Sequence, residues 1–461
     1  MISSLILHID YFSIVYFLLV NSFYALLIVR SFFSIVQRFR EVDTEELTHI
    51  IKSKSLPAIS LIIPAYNEED GIVDCIESLL HVRYPVKQIV IVNDGSTDMT
   101  LETLLQRYEL RPIPQIFPKK LETKEVHAVY QSNRWPELFV LDKERGGKGD
   151  ALNAGINFSI TPLYLAADAD TLIERDALLR MIRPFLDNPS IVAEGATIRM
   201  LNGCQHEHGI MHTFQMPTSL VESIQVVEYL RAFLYGRLGW NHFGGNLIVS
   251  GAFGLFDREE VLRAGGYSPN SIAEDIELTV ELTKRLRHVH KKNTTHFVPD
   301  PVAWTTGPKS WKELGQQRVR WHRALIDTLY RHRGLIFNHK YGMAGMVALP
   351  FQLFAELLHP FIEVTAYAGV LLGAILGIIN FHFIVLFFMV TWGITLILSI
   401  FSVMMEVITF QRVSRFQDLF RLTIAAFLEH IGYRQAYLFW KLKAFFEWTQ
   451  RKVTWTGEET V

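Results

Sequence analysis

Ile59-Ser60-Leu61-Ile62-Ile63-Pro64-Ala65-Tyr66-Asn67-Glu68-Glu69-Asp70 decides how the middle of this chain folds. Ile59–Ile63 is a short apolar run of strand length. Asn67-Glu68-Glu69-Asp70 then reads as a helix start, with Asn67 as cap and acid in the first turn. Ile72, Val73, Ile76, Leu79 and Leu80 follow at helical spacing and give one buried face.

The same alternation repeats on the C-terminal side. Gln88–Val92 reads as a second strand, ending at Asn93-Asp94-Gly95-Ser96-Thr97-Asp98. Leu138–Leu141 leads into Gly146-Gly147-Lys148-Gly149 and a helix through Ala151–Phe158. Leu163–Ala167 runs into Asp168-Ala169-Asp170. Strands alternating with amphipathic helices predict βαβ units and a mostly parallel, Rossmann-like sheet. In such sheets ligands sit outside the carboxyl ends of the strands. Asn67, Asp94, Lys148 and Asp168 all fall at such ends, which predicts one shared site. Arg111–Pro136 carries several prolines and little period, so it reads as a loop.

Further on, the pattern predicts a helix near Ala177–Leu186, a strand at Ile191–Met200 and a helix at Met216–Tyr235. Val249–Gly254 follows as a glycine-punctuated turn. Glu274-Asp275 opens an amphipathic helix carrying Ile276, Leu278, Val280 and Leu282. Trp311–Arg333 mixes Trp311, Leu314, Trp321, Leu325 and Leu329 with arginines. Such a helix lies along a membrane surface or forms a surface helix of the soluble part.

Apolar residues make up 49% of the 461 but crowd the two ends. Leu5–Val29 has the ~20 residues that span hydrocarbon, interrupted by His8, Asp10 and Asn21. Arg30, Arg38 and Arg40 come after it and no Ala-x-Ala-like site is visible. It therefore reads as a retained membrane helix, its C-terminal end in the cytoplasm by the positive-inside rule. Tyr341–Ile379 contains Pro350, Pro360, Glu356 and Glu363, which predicts a broken or interfacial piece to about His359 and a span at Phe361–Ile379. Phe383–Met404 reads as another span. Leu422–Trp440 holds Glu429, His430 and Arg434 and is either a further span or a surface helix. The parts are then a membrane helix (1–41), a polar linker (42–55), an α/β domain (56–310), interfacial helices (311–359) and a C-terminal membrane region (360–461). A net charge of −2 excludes a general nucleic-acid binder. Cys75 and Cys204 are the only cysteines, too few for a disulfide framework.

Three clusters carry the chemistry. Asp168 and Asp170 are paired carboxylates that can hold a hard cation against a diphosphate; a helix-capping acidic turn is the bland alternative. Asp275, beside Glu274, can take a proton from an attacking hydroxyl, and also suits a helix N-terminus. Gln317, Arg320 and Trp321 stand three and four residues apart, on one helical face. Cys204, His206, Glu207, His208 and His212 lack the paired spacing of a zinc site.

Pro64-Ala65-Tyr66-Asn67-Glu68, Asp94-Gly95-Ser96, Asp168-x-Asp170, Glu274-Asp275 and Gln317-x-x-Arg320-Trp321, in that order, resemble the membrane-integrated family 2 glycosyltransferases. That group includes cellulose, hyaluronan and poly-N-acetylglucosamine synthases. The resemblance implies a GT-A fold and an inverting, metal-dependent transfer from a UDP-sugar to a growing β-linked polysaccharide at the inner face of the plasma membrane. It implies that Asn67, Glu68 and Asp94 line the nucleotide pocket, that Lys148 reaches a phosphate, and that Asp168 meets the nucleotide or the metal. Asp170 would ligate Mg²⁺ or Mn²⁺. Asp275 would be the general base, Arg320 would pair with the diphosphate, and Trp321 would lie under the acceptor sugar. The alternative is transfer of one sugar to a lipid or small acceptor. Few spans are present, so a second copy or a secretion partner is expected if polymer is exported.

Overall fold

A computed structural model describes residues 2–41, 56–114, 117–241, 243–269, 271–288, 294–410 and 415–450. The expected linker 42–55 and the basic tail beyond Gln450 lie outside them. The first helix is α1 (Ile2–Glu41). The chain then gives β1 (Ile59–Ala65), α2 (Ile72–His81), β2 (Lys87–Asp94), α3 (Thr100–Arg107), β3 (Leu110–Pro112), β4 (Val126–Ser132), β5 (Leu138–Lys143), α4 (Lys148–Phe158), β6 (Leu163–Ala167) and β7 (Leu172–Ile173). There follow α5 (Ala177–Asp187), β8 (Ile191–Met200), the hairpin β9 (Gln205–Glu207) and β10 (Ile210–Thr213), α6 (Leu220–Arg231), β11 (Phe253–Asp257), α7 (Glu274–His288), β12 (Thr294–Thr305) and α8 (Trp311–Arg331).

Ten strands form one sheet in the order β3-β4-β5-β2-β1-β6-β11-β8-β12-β7. β5, β2, β1 and β6 run parallel, with Ile62 opposite both Val90 and Ala166. β11 is antiparallel to β6 and β8, whereas β12 is parallel to β8. The side chains explain the stacking. Along β1, Leu61 and Ile63 pack with Ile72, Cys75, Ile76 and Leu79 of α2. Ile62, with Val90 and Val92 of β2, packs with Leu152, Ile156 and Phe158 of α4 on the other face. A strand covered on both faces is apolar throughout, and that is how β1, β2 and β6 read. Gly155 lets α4 touch β1, because a Cβ there would collide with Ile62.

The apolar ends form helices beside this domain. Ser3–Gln37 and α10 (Phe381–Val407) are long and apolar enough to cross a membrane. Ala344–Leu357 and α9 (His359–Ile375) reach that criterion together, bent by 43°. The proline-containing stretch is thus continuous with the expected span. Phe351 stacks on Phe23, Tyr24 donates to Glu356, Tyr16 touches His359, Gly369 faces Asp10 and Gly373 faces Ile6. The bent pair therefore descends α1 from Tyr24 to Ile6. Phe383 meets Tyr11, Phe387 meets Phe17 and Val390 accepts from Asn21, so α10 climbs back. Beyond it, α11 (Phe416–Leu428) and α12 (Arg434–Thr449) are separated by non-helical Ile431 and Gly432. Leu422–Trp440 is therefore a broken helix pair, and α12 packs along α8.

Two sequence readings are corrected. Arg111–Pro136 contains β4, which pairs antiparallel with β5. Helix α2 starts at Ile72, and Asn67 is not its cap: it sits at φ 54° in the loop before it.

Candidate active site

The four parallel strand tips come together as expected, and the loops leaving them are laced by hydrogen bonds. Asn67 Oδ1 accepts from the Thr97 N–H at 2.8 Å, and the Asn67 N–H donates to Ser96 Oγ at 3.1 Å. The Glu68 N–H donates to Thr100 Oγ1 at 2.9 Å. Asn67 thus clamps the loop after β1 to the loop after β2. Its left-handed backbone is one that Asn tolerates better than most residues.

Asp94 ends β2 and is only 3% exposed. Its carboxylate accepts from Gly146 N–H at 2.9 Å, Gly147 N–H at 2.7 Å and Lys143 Nζ at 2.5 Å. Lys143 also bonds Asp150 at 2.6 Å. A buried lysine between two carboxylates satisfies the rule that buried charges are paired. Lys143 carries no motif cue beyond its place at the end of an apolar strand. Asp94 shapes the Gly146-Gly147 loop from beneath, and Gly147 at φ 89° turns the chain into α4.

Lys148 is the first residue of α4 and joins two halves of the site. Its ammonium lies 2.6 Å from Asp168 Oδ1, 3.3 Å from Glu274 Oε1 and 3.3 Å from the Gly251 carbonyl. Burial alone would lower its pKa, but Asp168 and Glu274 outweigh that and hold it up. The next link is backbone: the Gly251 N–H donates to Asp275 Oδ2 at 2.8 Å, while Asp275 Oδ1 accepts from Ile276 N–H. A Cβ at Gly251 would stand 3.0 Å from Lys148 Nζ and 3.2 Å from Asp275 Oδ2. The turn Val249–Gly254 is therefore held against both by its glycine. Strand tip, glycine turn and the start of α7 form one cleft.

Carboxylates crowd the far wall. Burial, then Asp170 and Asp168, push Glu68 up to about 7; burial, then Asp168, push Asp170 up to about 6. A cation would relieve this repulsion. No group of three His, Cys, Asp or Glu side chains preforms a metal cage among the described residues. Asp168 and Asp170 offer two carboxylates, and a hard divalent ion would complete its shell with phosphate and water oxygens, the usual magnesium pattern. The donor set fits such an ion. Among the described residues the Cys204–His212 run gathers no metal-ligand group; its His206 faces Asp74 across 3.7 Å.

In α8, Ser310 caps the helix by accepting from Glu313 N–H. Arg320 and Trp321 are exposed on it, Trp321 at 43%. The buried member of this turn is Arg318, which the motif pattern passes over. It bonds Glu228 at 2.6 Å and Gln317 Oε1 at 3.2 Å, and lies 4.2 Å from the Trp321 ring centroid. The same Glu228 of α6 accepts from the Tyr433 hydroxyl at 2.9 Å.

Comparison with known proteins gives the family. Residues 60–206 match glycosyl transferase family 2, and residues 165–406 match glycosyl transferase family group 2. The chain belongs to glycosyl transferase family group 2. This glycosyltransferase family member is 27% identical over 294 residues to the poly-β-1,6-N-acetyl-D-glucosamine synthase of Staphylococcus aureus (strain MSSA476). That match covers 62% of this chain and 61% of the relative. It is 28% identical over 284 residues to the synthase of Staphylococcus epidermidis, covering 61% and 58%. The chain thus matches about six-tenths of the length of these relatives. A mannosyltransferase from Pyrobaculum calidifontis, solved with GDP-Man and Mn²⁺, shares the fold with a TM-score of 0.50 at 16% identity, over 90% of this chain and 99% of that one. The GT-A-like sheet and its flanking apolar helices are those expected of the family.

Proposed function

We propose that this cleft transfers a sugar from a UDP-sugar to the end of a growing β-linked polysaccharide, inverting the anomeric carbon, at the inner face of a membrane. The observation that supports it most is the Lys148 cross-link. It draws Asp168 to Glu274 and, through Gly251, to Asp275. Residues more than a hundred positions apart thereby share one cleft, as a displacement reaction needs.

Asp275 acts as general base. Both its oxygens already accept backbone N–H bonds, which fix the carboxylate; each retains a lone pair for a hydroxyl. The acceptor hydroxyl attacks the anomeric carbon, its proton goes to Asp275, and the bond to the diphosphate breaks with its electron pair leaving on UDP. Asp168 and Asp170 would hold Mg²⁺ or Mn²⁺, which would neutralise charge on the departing diphosphate. Lys148 has three donors and can turn from Asp168 toward a phosphate. Asn67, Glu68 and Asp94 build the nucleotide pocket, Asn67 and Asp94 through the loops they hold. Arg320 meets the diphosphate and Trp321 stacks under the acceptor sugar, with Gln317 steadying that turn. Residues 56–310 are the transferase part, 311–359 its interfacial elements, and 1–41 with 360–461 the membrane-facing parts.

The relatives make UDP-N-acetylglucosamine the first donor to try. Purified protein in lipid nanodiscs, given UDP-sugars with Mn²⁺, is expected to release UDP and build long product. One-sugar addition would replace the polymer reading by the single-transfer one, and no UDP release from any UDP-sugar would overturn both.

A further inference from the structure

Strand β5 ends on Lys143, and α4 begins on Lys148. The Lys143 side chain is fully buried, which keeps it from touching any substrate. Its ammonium still has its three N–H donors engaged. They meet Asp94 Oδ1 at 2.5 Å, Asp150 Oδ1 at 2.6 Å and the Glu144 carbonyl at 2.5 Å. Asp94 and Asp150 are themselves buried, and each holds backbone. Asp94 accepts from the Gly146 and Gly147 N–H groups, and Asp150 accepts from the Lys124 N–H at 3.1 Å.

These contacts close the turn between β5 and α4 at its base. On one side Asp94 fixes the N–H of Gly147; on the other Lys143 fixes Asp150, in the first turn of α4. Lys148 stands between those two anchors. Its side chain leaves the turn for the cleft, reaching Asp168 Oδ1 at 2.6 Å and Glu274 Oε1 at 3.3 Å. Gly146 fits closely over the base, because a Cβ there would collide with the Asp150 carboxylate. One lysine is thus sealed beneath the turn, while the other is 28% exposed at the cleft.

We propose that Lys143 is a positioning residue for the sugar-nucleotide donor. It holds Asp94 and Asp150 together beneath the Gly146-Gly147 turn, and that turn sets the Lys148 ammonium where the donor's diphosphate arrives. Charge-assisted hydrogen bonds are directional where apolar packing is not, so a lysine at this place fixes the turn in one geometry. Lys143 therefore acts on donor affinity through Lys148, without meeting the donor itself. The inference rests on the reading of Lys148 as the phosphate contact.

The test is a double-variant cycle on the full chain in nanodiscs with Mn²⁺, reading the Kd of UDP-N-acetylglucosamine by titration. Lys148→Ala and Lys143→Met are each expected to raise that Kd roughly 10-fold. In the Lys148→Ala background, Lys143→Met should add less than about twofold, because residues acting through one group do not add. Lys143→Arg, which keeps a buried cation, should recover part of the loss. An equal effect of Lys143→Met in both backgrounds, or none in wild type, would overturn the inference. Where Lys143→Met does not fold, Asp150→Asn, which leaves the Asp94–Lys143 pair in place, decides by the same cycle. A Kd untouched by Lys148→Ala would instead remove the phosphate role of Lys148, a failure of the parent reading distinct from an indifferent Lys143.

Discussion

The two halves of this molecule differ in what accompanies their apolar packing. The sheet half is an apolar sandwich, in which β1 buries Leu61 and Ile63 on one face and Ile62 on the other. At the seam between that half and the membrane-facing helices, apolar packing that includes Ile28, Ile35, Val403, Met405 and Leu422 is joined by buried ion pairs. Arg199 of β8 bonds Glu406 of α10, Arg231 of α6 bonds Glu429, and Arg318 of α8 bonds Glu228, each at 2.6 Å. Deeper in the bundle Arg434 bonds Glu363 at 2.9 Å. Apolar packing is non-directional and tolerates repacking, whereas a buried pair fails when one partner goes. The sheet is thus built for persistence and the seam for one fixed orientation, with the cleft lying where they meet.

Variants at that junction test the comparison. Asp275→Asn is expected to cut UDP release about 10²–10⁴-fold while leaving donor binding intact in a titration; unchanged turnover would remove Asp275 from its role. Asp170→Asn, or chelation of wild type, is expected to lower kcat/KM about 100-fold or more, several kcal/mol of barrier. Added Mn²⁺ should restore the chelated enzyme and not the variant. At the seam, Glu228→Leu leaves Arg318 buried and uncompensated and should cost about 3–5 kcal/mol, read by thermal unfolding in detergent. Combining it with Arg318→Leu should recover most of that loss; a double variant as unstable as the single one would mean the seam is not held by charge. In the sheet, Gly155→Ala should cost only about 1–3 kcal/mol, because α4 must move off Ile62. A larger loss there than at Glu228 would reverse the comparison.

The same contrast governs what the sequence reveals. Strands β1, β2, β5, β6 and β8 were legible because burial on both faces writes itself as a short apolar run. β4 was not, since Pro112, Pro114, Pro118 and Pro136 surround Val126–Ser132 and its neighbour is an edge strand. β12 hides behind Pro299-Asp300-Pro301. At the site, the carboxylates stood out by motif order, but Asn67 was misread as a helix cap because Asn serves loops and caps equally well. Lys143 and Arg318 left no local signal: what defines them is a partner supplied by tertiary structure. Arg318 and Glu228 lie 90 positions apart, Lys441 and Glu356 85.

The tracks along α1 give the helices beside it a direction. Tyr341 bonds His288 of the transferase part, and Glu406 bonds Arg199, so both lie at the catalytic end. Gly373 against Ile6, and Phe383 against Tyr11, lie at the other end. Between Tyr341 and Phe383 the backbone must travel the full height of the bundle, bend included, before α10 brings it home. Ile6, Tyr11 and the short Gly377–Asn380 corner therefore lie at the end of α1 away from Tyr341 and Glu406. A reagent that cannot cross lipid should reach a cysteine at Gly377 from one side of a sealed vesicle, and the cleft from the other.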